Sequence, residues 1–201
     1  MAKVCNLLLL LFVAAWVLPL SATTTNIDFE IPGAPCDFNQ TSPLTDYYQS
    51  QGVTFSGPGS GLGGAVLNQC SNFGINAHSG TDFLAFSNIT YGVGPEKVSF
   101  SSPQSAVSIW AGDGNEQVNV FVLAAYDSGN NLLAEQVVDN IQGQWQQLSV
   151  SANDISYVTL GYAGEFAVWD DLSFTNVPEP GSLMLLGTGI VGLAARLRKL
   201  L

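Results

Sequence analysis

The sequence has 201 residues, 16 of them acidic and five basic, and its formal net charge is −11. Lys3 lies near the start, Arg196, Arg198 and Lys199 lie at the end, and Lys97 is the single basic residue between them. The middle of the chain is therefore almost purely acidic. Such a surface repels phosphate groups, which excludes nucleic acid as a partner.

Residues 1–22 have the pattern of a signal peptide. Lys3 supplies a positive n-region, Leu7–Val17 is an apolar core, Pro19 ends its helix and the small Ala22 offers a cleavage site. The apolar run is short for a membrane span, and the alternative is an uncleaved anchor. We expect the chain to be exported.

Two cysteines remain once a signal peptide is removed, Cys36 and Cys70. An exported protein with two cysteines usually pairs them, and we predict a disulfide that stabilises the fold by about 4 kcal/mol. A metal site or a reactive thiol is the alternative. The sequence has no CxxC pair to support it, and its single histidine is His78.

The region from residue 23 to 176 alternates apolar and polar residues, with turn-forming Gly, Asn and Asp between the alternating segments. This pattern predicts one all-β domain, an antiparallel, jelly-roll-like β-sandwich. Nine or ten strands are expected, at Ile27–Ile31, Val53–Ser56, Phe83–Ser87, Val98–Ser101, Val107–Ala111, Val118–Tyr126, Leu132–Val138, Trp145–Val150, Ile155–Tyr162 and Phe166–Phe174.

The last predicted strand contains an acid on its apolar face. Asp170 has the same parity as Phe166, Val168, Leu172 and Phe174. An unpaired carboxylate on such a face is costly, and a β-bulge at Asp170-Asp171 would remove the conflict.

Calcium is a second way to accommodate these acids. In many jelly-roll carbohydrate-binding modules a structural calcium links the first and last strands. By that analogy the ligands here are Asp28, Glu30, Asp170 and Asp171, whose carboxylates are the hard oxygen donors that calcium prefers. The alternative is a bulged strand with solvated carboxylates. No other cofactor is predicted.

The sequence favours a protein without catalytic activity. His78 lies in a predicted loop, and the sequence has no GxSxG elbow, phosphate-binding loop, dinucleotide fingerprint or zinc spacing. A glycan-active hydrolase, which needs only two carboxylates, is a distant alternative. Trp110 is the candidate for stacking on a sugar ring, because it precedes a Gly- and Asp-rich loop; packing is its ordinary role.

The chain ends in an apolar segment, Gly181–Ala195, between a Pro178-Glu179-Pro180 turn and the basic cluster Arg196, Arg198 and Lys199. As a helix, those 15 residues span about 22 Å, a marginal membrane span. The positive-inside rule places the basic cluster in the cytoplasm and the acidic domain outside. A plain C-terminal membrane anchor, preceded by a chance proline turn, is the minor alternative for this segment.

Residues 177–201 resemble the PEP-CTERM sorting signal of Gram-negative bacteria, a module also known as the ice-binding protein C-terminal domain. The resemblance rests on the Pro-Glu-Pro triplet, the apolar helix and the terminal basic cluster, in that order. It implies an exosortase as partner, with Pro178, Glu179 and Pro180 as its recognition motif and Arg196, Arg198 and Lys199 as a stop-transfer signal.

The resemblance implies a precursor anchored in the inner membrane through its C-terminal helix, then a protein of the cell surface or the extracellular biofilm matrix. Two functions are expected from it. The first is a non-catalytic surface or matrix protein, and the alternative is a carbohydrate-binding module attached to exopolysaccharide.

Overall fold

The computed structural model describes residues 22–57, 63–71, 73–85, 95–113, 120–139, 143–163 and 167–177, together with residue 189. The predicted signal peptide, sorting triplet, apolar tail helix and basic cluster lie outside the described residues, apart from Ala22 and Gly189. The described residues contain no helix that is both long and apolar enough to cross a membrane. Residues Thr24–Val177 form one compact unit.

The described residues form nine strands, and every strand pair is antiparallel. The strands are β1 Thr24–Ile27, β2 Val53–Ser56, β3 Ala65–Asn68, β4 Asp82–Ala85, β5 Glu96–Asp113, β6 Val120–Tyr126, β7 Leu132–Asp139, β8 Trp145–Ala163 and β9 Ala167–Asn176. Within the same described ranges, short 3-10 turns occur at Phe38–Gln40, Gln49–Gln51 and Gln69–Ser71. The predicted all-β class is confirmed.

Two long strands, β5 and β8, are shared between the two layers of the sandwich. The first half of β5 pairs with β2 and the second half of β8, whereas its second half pairs with β9 and the first half of β8. The register of β5 shifts on both sides of Gln104, which is where the strand changes layer. The alternation pattern predicts each of these strands as two shorter ones, and it does not predict β3.

The first layer contains β3, β4, β1, β9 and the second half of β5 with the first half of β8. The second contains β2, β6, β7 and the remaining halves of β5 and β8. Trp169 of β9 is fully buried between the layers and meets Phe121 of β6 edge to face, with ring centroids 5.2 Å apart. Large apolar side chains buried this way each contribute about 1.5–3 kcal/mol.

The predicted β-bulge is present in β9. Ser108 pairs with Ser173 and Trp110 with Asp170, so two residues of β9, Asp171 and Leu172, oppose one residue of β5. Asp171 has a positive φ of 49°, a conformation that some classes of β-bulge adopt.

The predicted assignment of β9 side chains to one common face is wrong, because of the bulge. Leu172 and Phe174 lie in the main core with Trp169, whereas Val168 belongs to a separate cluster. Val168 and Asp170 therefore do not share a face with Leu172 and Phe174. The inserted residue reverses the alternation, so the acid leaves the core face.

The predicted disulfide is confirmed. Cys36 is bonded to Cys70, with Cα atoms 5.2 Å apart and a sequence separation of 34. The backbone beside it is also joined, because Asn68 N–H donates to the carbonyl oxygen of Pro35 at 2.9 Å. The bridge ties the chain after β1 to the end of β3.

Candidate functional site

The outer side of the first layer carries a second, smaller hydrophobic cluster. Its buried members are Leu67, Phe73, Phe83, Ala85 and Val168, with Ile75, Ala77 and Trp145 packed against them. This packing holds the segment from Phe73 to Thr81 against the sheet. It brings His78 onto residues of β5, β8 and β9.

His78 lies between two tryptophans. Its ring stacks on Trp110, with centroids 3.9 Å apart and planes 20° apart, and meets Trp145 edge to face at 5.7 Å. The Trp145 ring is itself held in place, because its Nε1–H donates to the carbonyl oxygen of Asn76 at 3.0 Å. The residue opposite it is Gly112, where a larger residue would clash, because an added Cβ would lie 2.9 Å from the indole Cε3.

Asp170 is the buried anchor of this segment. Its Oδ2 accepts the backbone N–H groups of His78 at 2.9 Å and Ser79 at 3.1 Å, and its Oδ1 accepts that of Asp171 at 2.8 Å. Burial raises the pKa of Asp170 to about 7, and the N–H donors oppose only part of this effect.

Asp171 holds the side chains of the same two residues. Its Oδ2 lies 2.6 Å from His78 Nδ1, and its Oδ1 accepts the Ser79 hydroxyl at 2.7 Å. The His78 and Asp171 side chains are 28% and 29% exposed. A serine, a histidine and an aspartate thus meet, but serine and histidine both bond the aspartate. In a catalytic triad the serine is bonded to the histidine, which is not the case here. The hydrogen bonds of Asp171 instead hold the loop that contains His78 and Ser79 in place.

We call His78, Ser79, Trp110, Trp145, Asp170 and Asp171 the His78 cluster. The sequence predicts Trp110, Asp170 and Asp171 as candidate site residues and His78 as an ordinary loop residue, and nothing in it marks Ser79. His78 lies 93 residues from Asp171 in sequence, and no local pattern links them. The unexpected aspartate in an apolar strand was the only signal.

The other two predicted calcium ligands lie at the far end of the same segment. Glu30 Oε1 accepts the N–H groups of Thr81 at 2.7 Å and Asp82 at 2.9 Å, and Asp28 Oδ1 accepts that of Glu30 at 3.2 Å.

The predicted ligands therefore form two groups, each engaged by backbone donors. In the part of the chain that the structure describes, no three His, Cys, Asp or Glu side chains are arranged to hold a metal ion. This arrangement does not fit a calcium cage, and calcium binding stays a prediction.

A cavity of about 300 Å³ opens beside Glu30 and Asp82. Asn68 and Thr81 line it as well, and Asn68 Nδ2 donates to Asp82 Oδ1 at 2.8 Å. A second cavity of about 220 Å³ adjoins it and is lined by the half-exposed Tyr47. In the first cavity the carboxylates of Glu30 and Asp82 already accept hydrogen bonds from the protein. The second cavity is lined by no carboxylate.

Solved structures similar to this chain are β-sandwich domains. The K2 cleaved adhesin domain of Lys-gingipain is 12% identical over 76% of this chain and 99% of that domain, with a TM-score of 0.51. At this identity the similarity shows the fold alone, an antiparallel β-sandwich domain. No curated protein sequence matches the chain.

Two further structures are more distant and support no functional argument. The CBM22-1 xylan-binding domain of Paenibacillus barcinonensis Xyn10C is 14% identical over 80% of this chain and 99% of that domain, with a TM-score of 0.39. The MgGH51 α-L-arabinofuranosidase is 13% identical over 78% of this chain and 26% of that enzyme, with a TM-score of 0.45.

The C-terminal tail matches a known sequence family, whereas the sandwich resembles only distantly related structures. A family model of the PEP-CTERM protein-sorting motif matches residues 176–199, which confirms the resemblance of the tail. The chain therefore carries a PEP-CTERM protein-sorting motif at residues 176–199. Its motif indicates an exported precursor that an exosortase processes at the membrane and sorts to the cell surface.

Proposed function

We propose that this chain is a non-catalytic protein of the cell surface or extracellular matrix of a Gram-negative bacterium, displayed there after an exosortase processes its tail. The sorting motif at residues 176–199 carries the proposal. The fold supports it, because the sandwich is a self-contained unit that ends at Val177, directly before the Pro-Glu-Pro triplet. The arrangement of His78, Ser79 and Asp171 supports a structural role for the single histidine.

Intact-mass analysis of envelope and secreted fractions tests the proposal. The expected product begins near Thr23 and ends near Pro180, alone or with an added envelope group. Glu179→Ala should leave the precursor uncleaved, whereas Ser182→Ala, in the same tail but outside the triplet, should be processed normally. A wild-type product that retains Gly181–Leu201 would make the tail a permanent anchor.

Binding of exopolysaccharide is a second candidate. It is supported by the position of Trp110, which lies half-buried on the outer side of the first layer beside Trp145. Its indole has one face stacked on His78, so a sugar ring has the remaining surface of Trp110 to contact. A tryptophan ring offers a large apolar face, and the apolar face of a sugar ring can pack on such a surface.

Affinity electrophoresis in gels containing the host exopolysaccharide tests this candidate. Trp110→Ala should abolish retardation, while Trp110→Phe, which keeps an aromatic ring, should retain part of it. Tyr126→Phe, in the second layer, is the control. Equal migration of wild type with and without polysaccharide would leave the non-catalytic surface protein as the sole proposal.

A further inference from the structure

The loop after β1 contains an acceptor sequence for N-linked glycans. Asn39, Gln40 and Thr41 form the triplet Asn-x-Thr, which the sequence repeats only at Asn88, outside the described residues. Such a triplet is an acceptor where an exported chain presents it on a surface loop. Its position in the fold therefore decides whether Asn39 can be modified.

Asn39 lies on the surface between two fixed points of the chain. On one side the Cys36–Cys70 disulfide anchors the loop, and on the other Leu44 is buried in the main core. Residues 37–42 are all described, and none of them belongs to a strand. Asn39 itself is exposed. An enzyme can therefore bind and reshape this loop without breaking the pairing of the sheet.

Asp37 holds the amide group of Asn39. Its Oδ1 accepts the Asn39 side-chain Nδ2–H at 3.0 Å and the Asn39 backbone N–H at 2.9 Å. An amide nitrogen is a poor nucleophile, because its lone pair is delocalised into the carbonyl group. A carboxylate bonded to the N–H orients the amide and favours loss of the proton that the nitrogen must give up. Asn88 has Phe86 at the equivalent position and lacks this carboxylate.

A groove adjoins the acceptor. It is the second cavity, of about 220 Å³, and Gln40, Ser42 and the exposed Tyr47 are among the residues that line it. Gln40 directly follows Asn39 in the chain, so a sugar joined to Asn39 begins beside this groove. The Tyr47 ring offers an apolar surface on which a sugar ring can pack.

We propose that Asn39 is a site of N-linked glycosylation, modified by an oligosaccharyltransferase from a polyprenyl diphosphate-linked glycan at the outer face of the inner membrane. The inference rests on the export that the proposed function includes, and it goes beyond that function. In the reaction, Nδ2 of Asn39 forms a bond to the anomeric carbon of the sugar, whose bond to the diphosphate oxygen breaks. The polyprenyl diphosphate leaves with the electron pair, and the Nδ2 proton passes to a carboxylate.

Mass spectrometry of the peptide that contains Asn39, from protein exported by the native host, tests the proposal. After reduction of the disulfide this peptide should carry a glycan, and a group added to the tail cannot be confused with it because it lies on another peptide. Asn39→Gln and Thr41→Ala should each lose the whole glycan mass. Thr41→Ser, which keeps the hydroxyl group, and Asn88→Gln should both retain it.

The role of Asp37 is tested by the rate of modification after pulse labelling. Asp37→Asn should slow modification roughly tenfold, because it removes a charge-assisted hydrogen bond to the amide. Asp37→Glu, which keeps the carboxylate, should recover most of the wild-type rate. An unchanged rate in Asp37→Asn would contradict the role given to Asp37.

Two outcomes overturn the inference. They are exported wild type in which Asn39 carries no sugar, and a glycan on the same peptide that Asn39→Gln retains. If Thr41→Ala fails to fold, Asn39→Gln decides the matter, because its position is exposed. An unmodified Asn39 on a product cut at its tail leaves the proposed function standing. A glycosylated Asn39 on a product that retains Gly181–Leu201 fails the proposed function alone, which distinguishes the two failures.

Discussion

Glu96 is a carboxyl group buried without a partner. Its side chain is fully buried at the start of β5, and neither oxygen has a hydrogen bond of good geometry with any described residue. Burial raises its pKa to about 10, and the nearby N–H of Gly64 offsets this only in part. Glu96 is therefore protonated at neutral pH. It lies near the Tyr162 hydroxyl, whose pKa is also raised, first by burial and then by Glu96.

The free energy of unfolding should fall as the pH rises because of Glu96. The folded state holds a proton that the unfolded state releases above its pKa of 4.5. Stability from this group is thus complete below pH 4.5 and is lost as the pH rises toward 10, by at most about 1.4 kcal/mol per pH unit. Glu96→Gln keeps the shape without the titrating proton, so its stability should depend less on pH.

Urea unfolding of wild type and Glu96→Gln at pH 5, 6.5 and 8 measures this difference. The raised pKa of Asp170 acts in the same direction up to about pH 7, and its contribution cancels in the comparison. Glu135→Gln, an exposed acid in β7, is the control. Parallel curves for wild type and Glu96→Gln would show that Glu96 does not titrate as proposed.

The elements show how far the sequence alone can be interpreted. Alternation along β6 and β7 gave both strands nearly at their observed ends, because their pairing is regular up to a register shift between Ala125 and Tyr126 at the end of β6. The same rule placed Val168 on the wrong face of β9, because one inserted residue at Asp171 reverses every side chain beyond it. Alternation detects a bulge only where it produces a conflict, as it did at Asp170.

The contacts of the His78 cluster could not be predicted from the sequence, for a different reason. They join segments about 92 residues apart through backbone N–H groups, which every residue except proline possesses. No residue type therefore marks His78 or Ser79 as partners of Asp170. The cysteines were predictable because a disulfide needs a specific side chain at both positions.

Reduction of the disulfide should destabilise the sandwich without unfolding it completely. The bridge joins Cys36 and Cys70 across a sequence separation of 34, and closing such a loop stabilises the fold by about 4 kcal/mol, because it restricts the unfolded chain. Urea unfolding with and without reductant measures the loss, and Cys36→Ala with Cys70→Ala should reproduce it. The double variant should not respond to reductant. A loss below about 1 kcal/mol would show that native contacts already hold this loop.

Charge sets the behaviour of the whole molecule. Residues 23–177 contain 15 acids, which is the total of 16 less Glu179, and Lys97 is their only basic residue besides His78. The Lys97 ammonium lies over the ring of Tyr157, 3.8 Å from its centroid, in a cation–π contact. The folded domain therefore concentrates negative charge that the unfolded chain spreads over a larger volume, and this repulsion lowers its stability.

Sodium chloride should therefore raise the melting temperature of the processed protein, since salt screens repulsion among its carboxylates. Each kcal/mol gained corresponds to roughly 2–4 °C for a domain of this size. Melting temperatures measured in calcium chloride and in magnesium chloride at equal ionic strength distinguish charge screening from specific calcium binding. If the predicted calcium site exists, calcium should raise the melting temperature more than magnesium does. Asp28→Asn and Glu30→Gln should then remove this additional increase. Equal increases with both ions would assign all the stabilisation to screening, because carboxylates already engaged by backbone donors leave calcium no cage to enter.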